Sequence, residues 1–326
     1  MLQYEEVLDA YGTVGRWFCK EIEGIKHWIT INMGAQLYFK VQGTSQITLH
    51  FKLWNTPSSI AYQINDGPLN AIVVSEEIQI AQDLDPQKTY YVRVITEDIP
   101  ETNDLWVKHE GVALREVKID QGGILKGVRP IHDKSILFIG DSITAGIGAR
   151  RDGRGQPYTG AASMNYAAIC SKLLGYTDIR CAFGYTGIVN PGPIGIPACS
   201  GYINNICEAI SDESQNPDIV VINHGTNDSL HNQSVKAFKE GYKALLVQLK
   251  SKYPEAIIFV MIPFGQYMAQ AIREIVGGTE GIVLIETMDW QVTYVGDGVH
   301  VDLEGSETAG KQLAVAIGNV IQKRNK

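Results

Sequence analysis

Residues 135–146 read SILFIGDSITAG, and this stretch decides the fold of the second half of the chain. An apolar run that ends abruptly in a glycine is typical of a buried parallel strand, and the small residues after it predict the turn into a helix. Open α/β sheets bind their ligands outside the carboxyl ends of the strands. The sequence therefore predicts that the hydroxyl group of Ser142 lies at a ligand-binding edge, where it is a candidate nucleophile.

Strand-like and helical stretches alternate in the second half of the chain. Strands are predicted at residues 136–139, 179–183, 219–222, 257–262 and 283–285, and helices at residues 164–174, 234–252 and 306–321. Alternation of this kind favours a parallel sheet that is covered by helices on both faces. We therefore predict an α/β domain over residues 126–326.

The first half of the chain has the pattern of short β-strands. Its β-branched and aromatic runs lie at residues 37–41, 46–51, 60–64, 90–95 and 112–120, with turn signals among them. No convincing helical pattern interrupts them, so we predict an antiparallel β-sandwich or jelly roll over residues 1–125. The run at 112–120 is predicted to be its last strand and Gln121-Gly122-Gly123 to be the linker. A length of 326 residues also favours two domains over one.

Three further polar stretches carry residue types that suit acyl transfer. They read GYTG at residues 184–187, NHGTND at 223–228 and DGVH at 297–300. A serine hydroxyl needs a base to take its proton, and the base works best when a carboxylate orients it. His300 and Asp297 supply both groups from one loop. The backbone N–H of Ser142, a glycine N–H and the side-chain amide of Asn227 suit the stabilisation of an oxyanion.

The four blocks, in this order and approximate spacing, resemble those of the SGNH (GDSL-type) hydrolases over about residues 130–326. The resemblance implies a three-layer α/β/α, flavodoxin-like domain. It also implies Ser142 as the nucleophile, His300 as the general base and Asp297 as the residue that orients the base. Asn227 and a glycine of the second block would join the Ser142 N–H in the oxyanion hole.

The second block departs from the usual pattern of this family. It reads AFGYTG at residues 182–187, so Ala182 and Thr186 stand where asparagine and serine are common. Gly187 aligns best as the oxyanion donor, and Gly184 is the second choice.

The arrangement of the whole chain resembles that of the bacterial acetyl esterases of carbohydrate esterase family two. For residues 1–125 the resemblance rests on the order of the strands and on short segments such as GAQLYF at residues 34–39. It implies removal of an acetyl group from a sugar hydroxyl through an acyl-enzyme, with a small-molecule or oligosaccharide ester as substrate. Two other interpretations stay open. One is the same Ser-His-Asp site in an acyltransferase or a short-chain lipid or thioester esterase, and the other is a carbohydrate-binding protein with a vestigial hydrolase domain.

Aromatic and basic side chains near the blocks are candidates for substrate contact. Trp290 and Tyr294 precede the last block and either form a wall for an acyl group or sugar or pack in the core. Tyr158 lies in a polar, glycine-rich loop after the nucleophile, and such loops often carry specificity. Arg151 or Arg154 of the same loop would meet an anionic substrate.

Composition and residue spacing argue against several classes of function. A net charge of −8 disfavours a nucleic-acid partner, and the lack of about eighteen consecutive apolar residues disfavours a membrane partner. No basic segment followed by an apolar core occurs at the N-terminus, so we expect a cytoplasmic protein, although a trimmed secreted protein would look the same. The sequence leaves open a homo-oligomer.

Metal binding is disfavoured by the spacing of the potential ligands. The chain has five cysteines, an odd number without a Cys-x-x-Cys pair, which argues against a disulfide framework and a thiolate zinc site. His224, Asp228 and His231 lie close together, but three ligands on one loop without cysteine or glutamate are a poor zinc signature. We therefore expect no metal and no other cofactor.

Overall fold

The computed structural model describes residues 11–130, 132–150, 158–212 and 216–324. The first part of the chain forms two antiparallel sheets. Their strands are β1 (Gly12–Val14), β2 (Phe18–Ile22), β3 (Ile25–Thr30), β4 (Gln36–Gln42), β5 (Ile47–Lys52), β6 (Ser59–Ile64), β7 (Asn70–Val73), β8 (Glu77–Ala81), β9 (Thr89–Asp98), β10 (Val112–Ile119) and β11 (Ile124–Gly127). One sheet has the order β1-β4-β9-β6-β7, with β11 also beside β4, and the other has the order β2-β3-β10-β5-β8. The predicted β-sandwich is confirmed.

The sandwich extends beyond the strand that the sequence predicts to be its last. Strand β11 pairs antiparallel with β4, where Leu125 lies opposite Val41. The predicted linker, Gln121-Gly122-Gly123, is instead the turn into this strand, and the Gly123 N–H donates to the Asp120 carbonyl at 3.0 Å. The linker prediction is wrong because tight turns and flexible linkers share a glycine-rich composition.

The second part of the chain is an α/β arrangement around a parallel sheet. Its strands are β12 (Ser135–Gly140), β13 (Thr177–Ala182), β16 (Ile219–Asn223), β17 (Ile257–Met261) and β18 (Ile282–Ile285), in the order β13-β12-β16-β17-β18, and β14 (Asn205–Cys207) and β15 (Ile210–Ser211) form a separate hairpin. Its helices are α1 (Ser142–Ala145), α2 (Tyr166–Leu174), α3 (Cys199–Tyr202), α4 (Thr226–Leu230), α5 (Val235–Lys252), α6 (Ala269–Gly277) and α7 (Leu303–Arg324), with a 3₁₀ turn at Ala162–Met164. Across the four described ranges, no helix combines the length and the apolar character needed to cross a membrane.

Strand β12 divides its side chains between the two faces of the parallel sheet, as the period of two in a strand requires. Ile136 and Phe138 belong to an apolar cluster with α2 and α7. Leu137 and Ile139 belong to a second cluster with α5 and α6, which continues without a break into the core of the sandwich at residues such as Phe39. The three-layer α/β/α prediction is therefore confirmed, and the sandwich shares a core with one layer.

A buried ion pair also joins the sandwich to the α/β part. Arg16 is fully buried, and its Nε donates to Asp212 Oδ2 at 2.8 Å. Its Nη2 donates to the carbonyls of Tyr202, at 2.6 Å, and of Asn205. A buried guanidinium is tolerated only when its donors are satisfied in this way. The relative position of the two parts is thus fixed by charge pairing as well as by apolar packing.

Candidate active site

Ser142 lies in a sharp turn at the carboxyl end of β12. Gly140 ends the strand, and a β-carbon at this position would lie 2.0 Å from Thr144 Oγ1, so only glycine allows the turn. Asp141 then caps α1, because its Oδ1 accepts the Ile143 N–H at 3.0 Å. Ser142 is the first residue of this helix and is 6% exposed.

The three residues predicted as a catalytic triad come together in the structure. Ser142 Oγ lies 2.8 Å from Nε2 of His300, although 158 positions separate the two residues in the chain. On the other side of the ring, His300 Nδ1 lies 2.6 Å from Asp297 Oδ2. With Nδ1–H donating to the carboxylate, Nε2 is left as the acceptor for the serine hydroxyl proton. This is the geometry that activates a serine as a nucleophile.

The loop that carries Asp297 and His300 is closed at its base. Tyr294 and Val301 form an isolated antiparallel bridge, and the Val295 N–H donates to the His300 carbonyl at 2.9 Å. Asp297 Oδ1 accepts the N–H groups of Val299, at 2.8 Å, and of His300, at 2.9 Å. Partial burial alone would raise the pKa of Asp297, but the hydrogen bonds from His300 and Val299 lower it below its usual value. Asp297 is therefore held as a carboxylate.

Asn227 and the second block meet at the same edge of the sheet. Asn227 lies in α4, which follows β16, and its Nδ2 donates to the Thr186 carbonyl at 3.0 Å. This bond uses one of the two N–H groups of the amide and orients the other. Asn227 is 7% exposed. The role of Asn227 as an oxyanion donor stays a prediction.

The first-choice glycine of the second block does not suit that role. The Gly187 N–H donates to the Asn190 carbonyl at 2.8 Å, so it is already engaged within its own loop. Within the described part of the chain, the N–H of the second choice, Gly184, has no such backbone partner. Gly184 lies two residues after Ala182, which ends β13, the strand beside the nucleophile strand. The geometry thus favours Gly184 over Gly187.

Asp228 has a structural position and acts on the loop of the second block. The fully buried carboxylate accepts the N–H groups of Ile188, Val189 and Asn190 at 2.9, 2.8 and 3.3 Å. These bonds join the second block to the third. Asp228 therefore fixes the position of the loop after Gly187 relative to its neighbour in the chain, Asn227.

His224 of the third block is a buried histidine in the core. Its Nε2 lies 2.6 Å from the Tyr202 hydroxyl, which also donates to the Gly140 carbonyl at 3.1 Å. Burial lowers the pKa of His224 to about 3, so the ring is neutral. Among the residues that the structure describes, no cluster of three or more potential ligands could hold a metal ion.

The aromatic residues predicted to contact substrate have mixed surroundings. Trp290 is half-buried and packs on Phe264 at a centroid distance of 6.1 Å, which agrees with a role in the core. Tyr294 forms the base of the His300 loop. The Arg150 guanidinium lies over the ring of Tyr158, with its Cζ 4.6 Å from the ring centroid. Arg151 and Arg154 lie outside the described residues.

A largely apolar cavity, which Glu101 also lines, adjoins the candidate oxyanion hole. Its volume is about 350 Å³, the open mouth included. It is lined by Met33, Ile99 and Leu105 of the sandwich and by Ala145, Phe183 and Gly184 of the α/β part, among others. The local sequence pattern does not predict these sandwich residues as part of the site, because nothing in it distinguishes them from core residues.

A family comparison decides the enzyme class. The model of the GDSL-like lipase/acylhydrolase family matches residues 138–307, just over half of the chain. The chain belongs to this family. The matched part of the chain is therefore a carboxylic ester hydrolase domain, and the match covers Ser142, Asn227, Asp297 and His300.

A curated relative and several solved structures are also similar to this acylhydrolase. The cellulase/esterase CelE of Acetivibrio thermocellus is 29% identical over 174 residues, which are 48% of this chain and 21% of CelE. The chain thus spans about a fifth of the length of that relative.

The structural similarities extend over nearly the whole chain. A family two carbohydrate esterase from Clostridium thermocellum in complex with cellohexaose has a TM-score of 0.78 and 20% identity and covers 96% of this chain and 99% of its own. An acetyl xylan esterase from Butyrivibrio proteoclasticus has a TM-score of 0.72 and 18% identity, with 96% of each chain covered. A salicylyl-acyltransferase from a tetracycline biosynthetic pathway has a TM-score of 0.68 and 11% identity and covers 95% of this chain and 96% of its own. At these identities the comparisons establish the fold of the acylhydrolase.

Proposed function

We propose that the protein is a serine esterase that removes short acyl groups, above all acetyl, from carbohydrate hydroxyls through an acyl-enzyme. The observation that carries the proposal is the contact of His300 Nε2 with Ser142 Oγ at 2.8 Å, backed by Asp297 at 2.6 Å. The reaction uses these side chains and water, and it needs no metal or other cofactor.

Each proton has a place in the proposed reaction. His300 Nε2 takes the hydroxyl proton of Ser142 as Oγ attacks the ester carbonyl, and the charge of Asp297 stabilises the resulting imidazolium. The Ser142 N–H, the Gly184 N–H and the Asn227 amide bind the oxyanion. His300 then gives the proton to the departing sugar oxygen and leaves Ser142 acylated. In the second step His300 takes a proton from a water molecule that attacks the acyl carbon. It then returns this proton to Ser142 Oγ as the acid leaves.

Two observations support the choice of substrate. The structures with a similar fold include carbohydrate esterases and an acetyl xylan esterase. The cavity next to Gly184 is lined mainly by apolar side chains, which suits the methyl group of an acetyl ester. An acetyl ester of a sugar or an oligosaccharide agrees with both observations.

Initial rates test the proposal most directly. The wild-type protein and Ser142→Ala are compared on 4-nitrophenyl esters from acetate to decanoate and on acetylated mono- and oligosaccharides. We expect serine-dependent turnover of acetate and sugar acetates, with a loss of several orders of magnitude in Ser142→Ala. Near-normal activity of Ser142→Ala would contradict the mechanism, and a preference for long chains would contradict the substrate.

Acyl transfer to an alcohol is the second candidate, favoured by the fold similarity to the salicylyl-acyltransferase. The same site performs it when an alcohol replaces water in the second step. Product analysis with competing alcohols separates the two functions. Free acid as the main product supports hydrolysis, and a new ester as the main product supports transfer.

A further inference from the structure

Arg180 is a buried arginine on β13, the strand beside the nucleophile strand, and is 1% exposed. Its Nε and Nη2 donate to the two carboxylate oxygens of Asp178 at 3.3 and 2.7 Å. This bidentate pair fixes the plane of the guanidinium. The side chain therefore presents its remaining N–H groups in one direction.

Those N–H groups bind the segment that follows the nucleophile. Nη1 donates to the Ala145 carbonyl at 3.1 Å, and Nη2 donates to the Ala162 carbonyl at 2.6 Å. Ala145 is the last residue of α1, which has only four residues and leaves its terminal carbonyls without helical partners. Asn165 Nδ2 satisfies the carbonyls of Ile143 and Thr144 at 3.2 and 2.7 Å. Arg180 and Asn165 thus replace the hydrogen bonds that a longer helix would supply.

The sandwich closes over the guanidinium of Arg180. Gly34 has φ +80°, and a β-carbon on it would lie 2.9 Å from Arg180 Nε. Gly34 is itself held by its N–H bond to the Thr96 carbonyl at 2.8 Å, and Gln36 Nε2 donates to the Asp178 carbonyl at 3.5 Å. Since the sandwich keeps water away, the hydrogen bonds of Arg180 are stronger and more rigid than exposed ones.

We propose that Arg180 is a positioning residue of the active site, which fixes the carboxyl end of the nucleophile helix while Gly34 of the sandwich keeps its guanidinium in place. The inference rests on the proposed function because it takes Ser142 as the nucleophile. It gives the sandwich a part in the reaction rate that needs no contact with substrate. A displacement of about 1 Å at a reacting group costs about 100-fold in rate, which sets the size of the expected effect.

The test compares two buried arginines. Arg180→Lys and Arg180→Gln are made beside Arg16→Lys and Arg16→Gln, since Arg16 is equally buried, pairs with an aspartate and binds two carbonyls, but does not contact α1. For each variant, kcat, KM and the rate constant for labelling of Ser142 by a fluorophosphonate are measured at a temperature at which the protein is folded. Thermal unfolding is recorded in parallel.

We expect Arg180→Gln to lose about 100-fold in both kcat and labelling rate, with KM changed by less than about threefold. The kcat and labelling rate of Arg180→Lys should lie between those of Arg180→Gln and those of the wild type. One ammonium group cannot bind both carbonyls in the fixed geometry of a guanidinium. The Arg16 variants should lower Tm and leave the labelling rate of the folded protein within about threefold.

Wild-type labelling and kcat in the folded Arg180 variants would overturn the inference, as would an equal loss of labelling in the Arg16 variants. If the Arg180 variants do not fold, Gly34→Ala serves instead, because its β-carbon presses on the guanidinium without removing it. A labelling rate about tenfold lower at unchanged KM is then expected, and an unchanged rate overturns the inference. Failure of fluorophosphonate to label the wild-type Ser142 would instead contradict the proposed function.

Discussion

The carboxylate of Asp228 lies so close to Gly187 that a β-carbon on the glycine would be 2.5 Å from Oδ2. The carboxylate has no room to move away, because it accepts the N–H groups of Ile188, Val189 and Asn190. At Gly184 the nearest atom to a β-carbon is Glu101 Oε1, at 1.6 Å, the end of a flexible side chain. The two glycines of the second block therefore serve different purposes: Gly187 makes room for the fixed carboxylate of Asp228, and Gly184 makes room for the side chain of Glu101.

Alanine substitutions at the two glycines should affect stability and kcat to different extents. We expect Gly187→Ala to lower the free energy of unfolding by about 1–3 kcal/mol, since it overpacks a rigid site. Gly184→Ala should lower it less and reduce kcat more, because the new methyl group displaces Glu101 beside the oxyanion hole. Urea unfolding and kcat are measured for both variants. A Gly187→Ala protein with normal stability and lost activity would restore Gly187 as the oxyanion donor.

Asp297→Asn tests the orientation of His300. An amide at this position retains the shape but no longer stabilises the imidazolium, and its NH₂ group favours the wrong tautomer of the ring. We expect kcat to fall about 10³- to 10⁴-fold with little change in KM. Steady-state kinetics on an acetyl ester measures this effect. A loss below about tenfold would show that another group orients His300.

Asn227→Ala tests the oxyanion hole. Loss of one preorganised donor costs about 100- to 1,000-fold in kcat, because the charge it binds develops only in the transition state. KM should stay nearly constant. Since Asn227 Nδ2 also binds the Thr186 carbonyl, thermal unfolding of the variant is recorded as well. A raised KM at unchanged kcat would assign Asn227 to substrate binding and not to the oxyanion.

Leu105→Ala tests whether the sandwich limits the length of the acyl group. Leu105 lines the cavity beside Gly184, and its truncation enlarges the space for an acyl chain. We expect the ratio of kcat/KM for butanoate to that for acetate to rise about tenfold, in line with about 1–3 kcal/mol for methylene-sized differences in a pocket. Leu49→Ala is the matched control, since Leu49 is fully buried in the same sandwich but does not line the cavity. An unchanged ratio in Leu105→Ala, or an equal rise in Leu49→Ala, would contradict this limit.

The sequence predicts the strands and catalytic blocks better than the contacts between the two parts of the chain. Buried strands such as β12 have an uninterrupted apolar pattern, and Ser142, Asp297 and His300 lie in short motifs whose order along the chain is diagnostic. Helix α6 was not predicted, because residues 263–268 before it carry proline and glycine but no capping side chain. Arg180 and Gly34 also escaped prediction, since only tertiary packing brings them together.

Asp141 gives a prediction on pH and stability. It is 1% exposed, and burial, together with the negative charges of Asp228 and Glu101, raises its pKa to about 7 against the hydrogen bond from Ile143. Between the ordinary carboxyl pKa and about 7, the folded protein holds a proton that the unfolded chain has lost. Because the unfolded state binds fewer protons in this window, the free energy of unfolding contributed by Asp141 falls as pH rises, by at most about 4 kcal/mol.

Asp141→Asn removes this dependence and keeps an oxygen to accept the Ile143 N–H. The free energy of unfolding of the variant minus that of the wild type should therefore be larger at pH 8 than at pH 5. Urea unfolding of both proteins at the two pH values measures the gain. Parallel stability curves would mean that Asp141 is ionised in the folded protein throughout this range, so that the turn before Ser142 accommodates a buried negative charge.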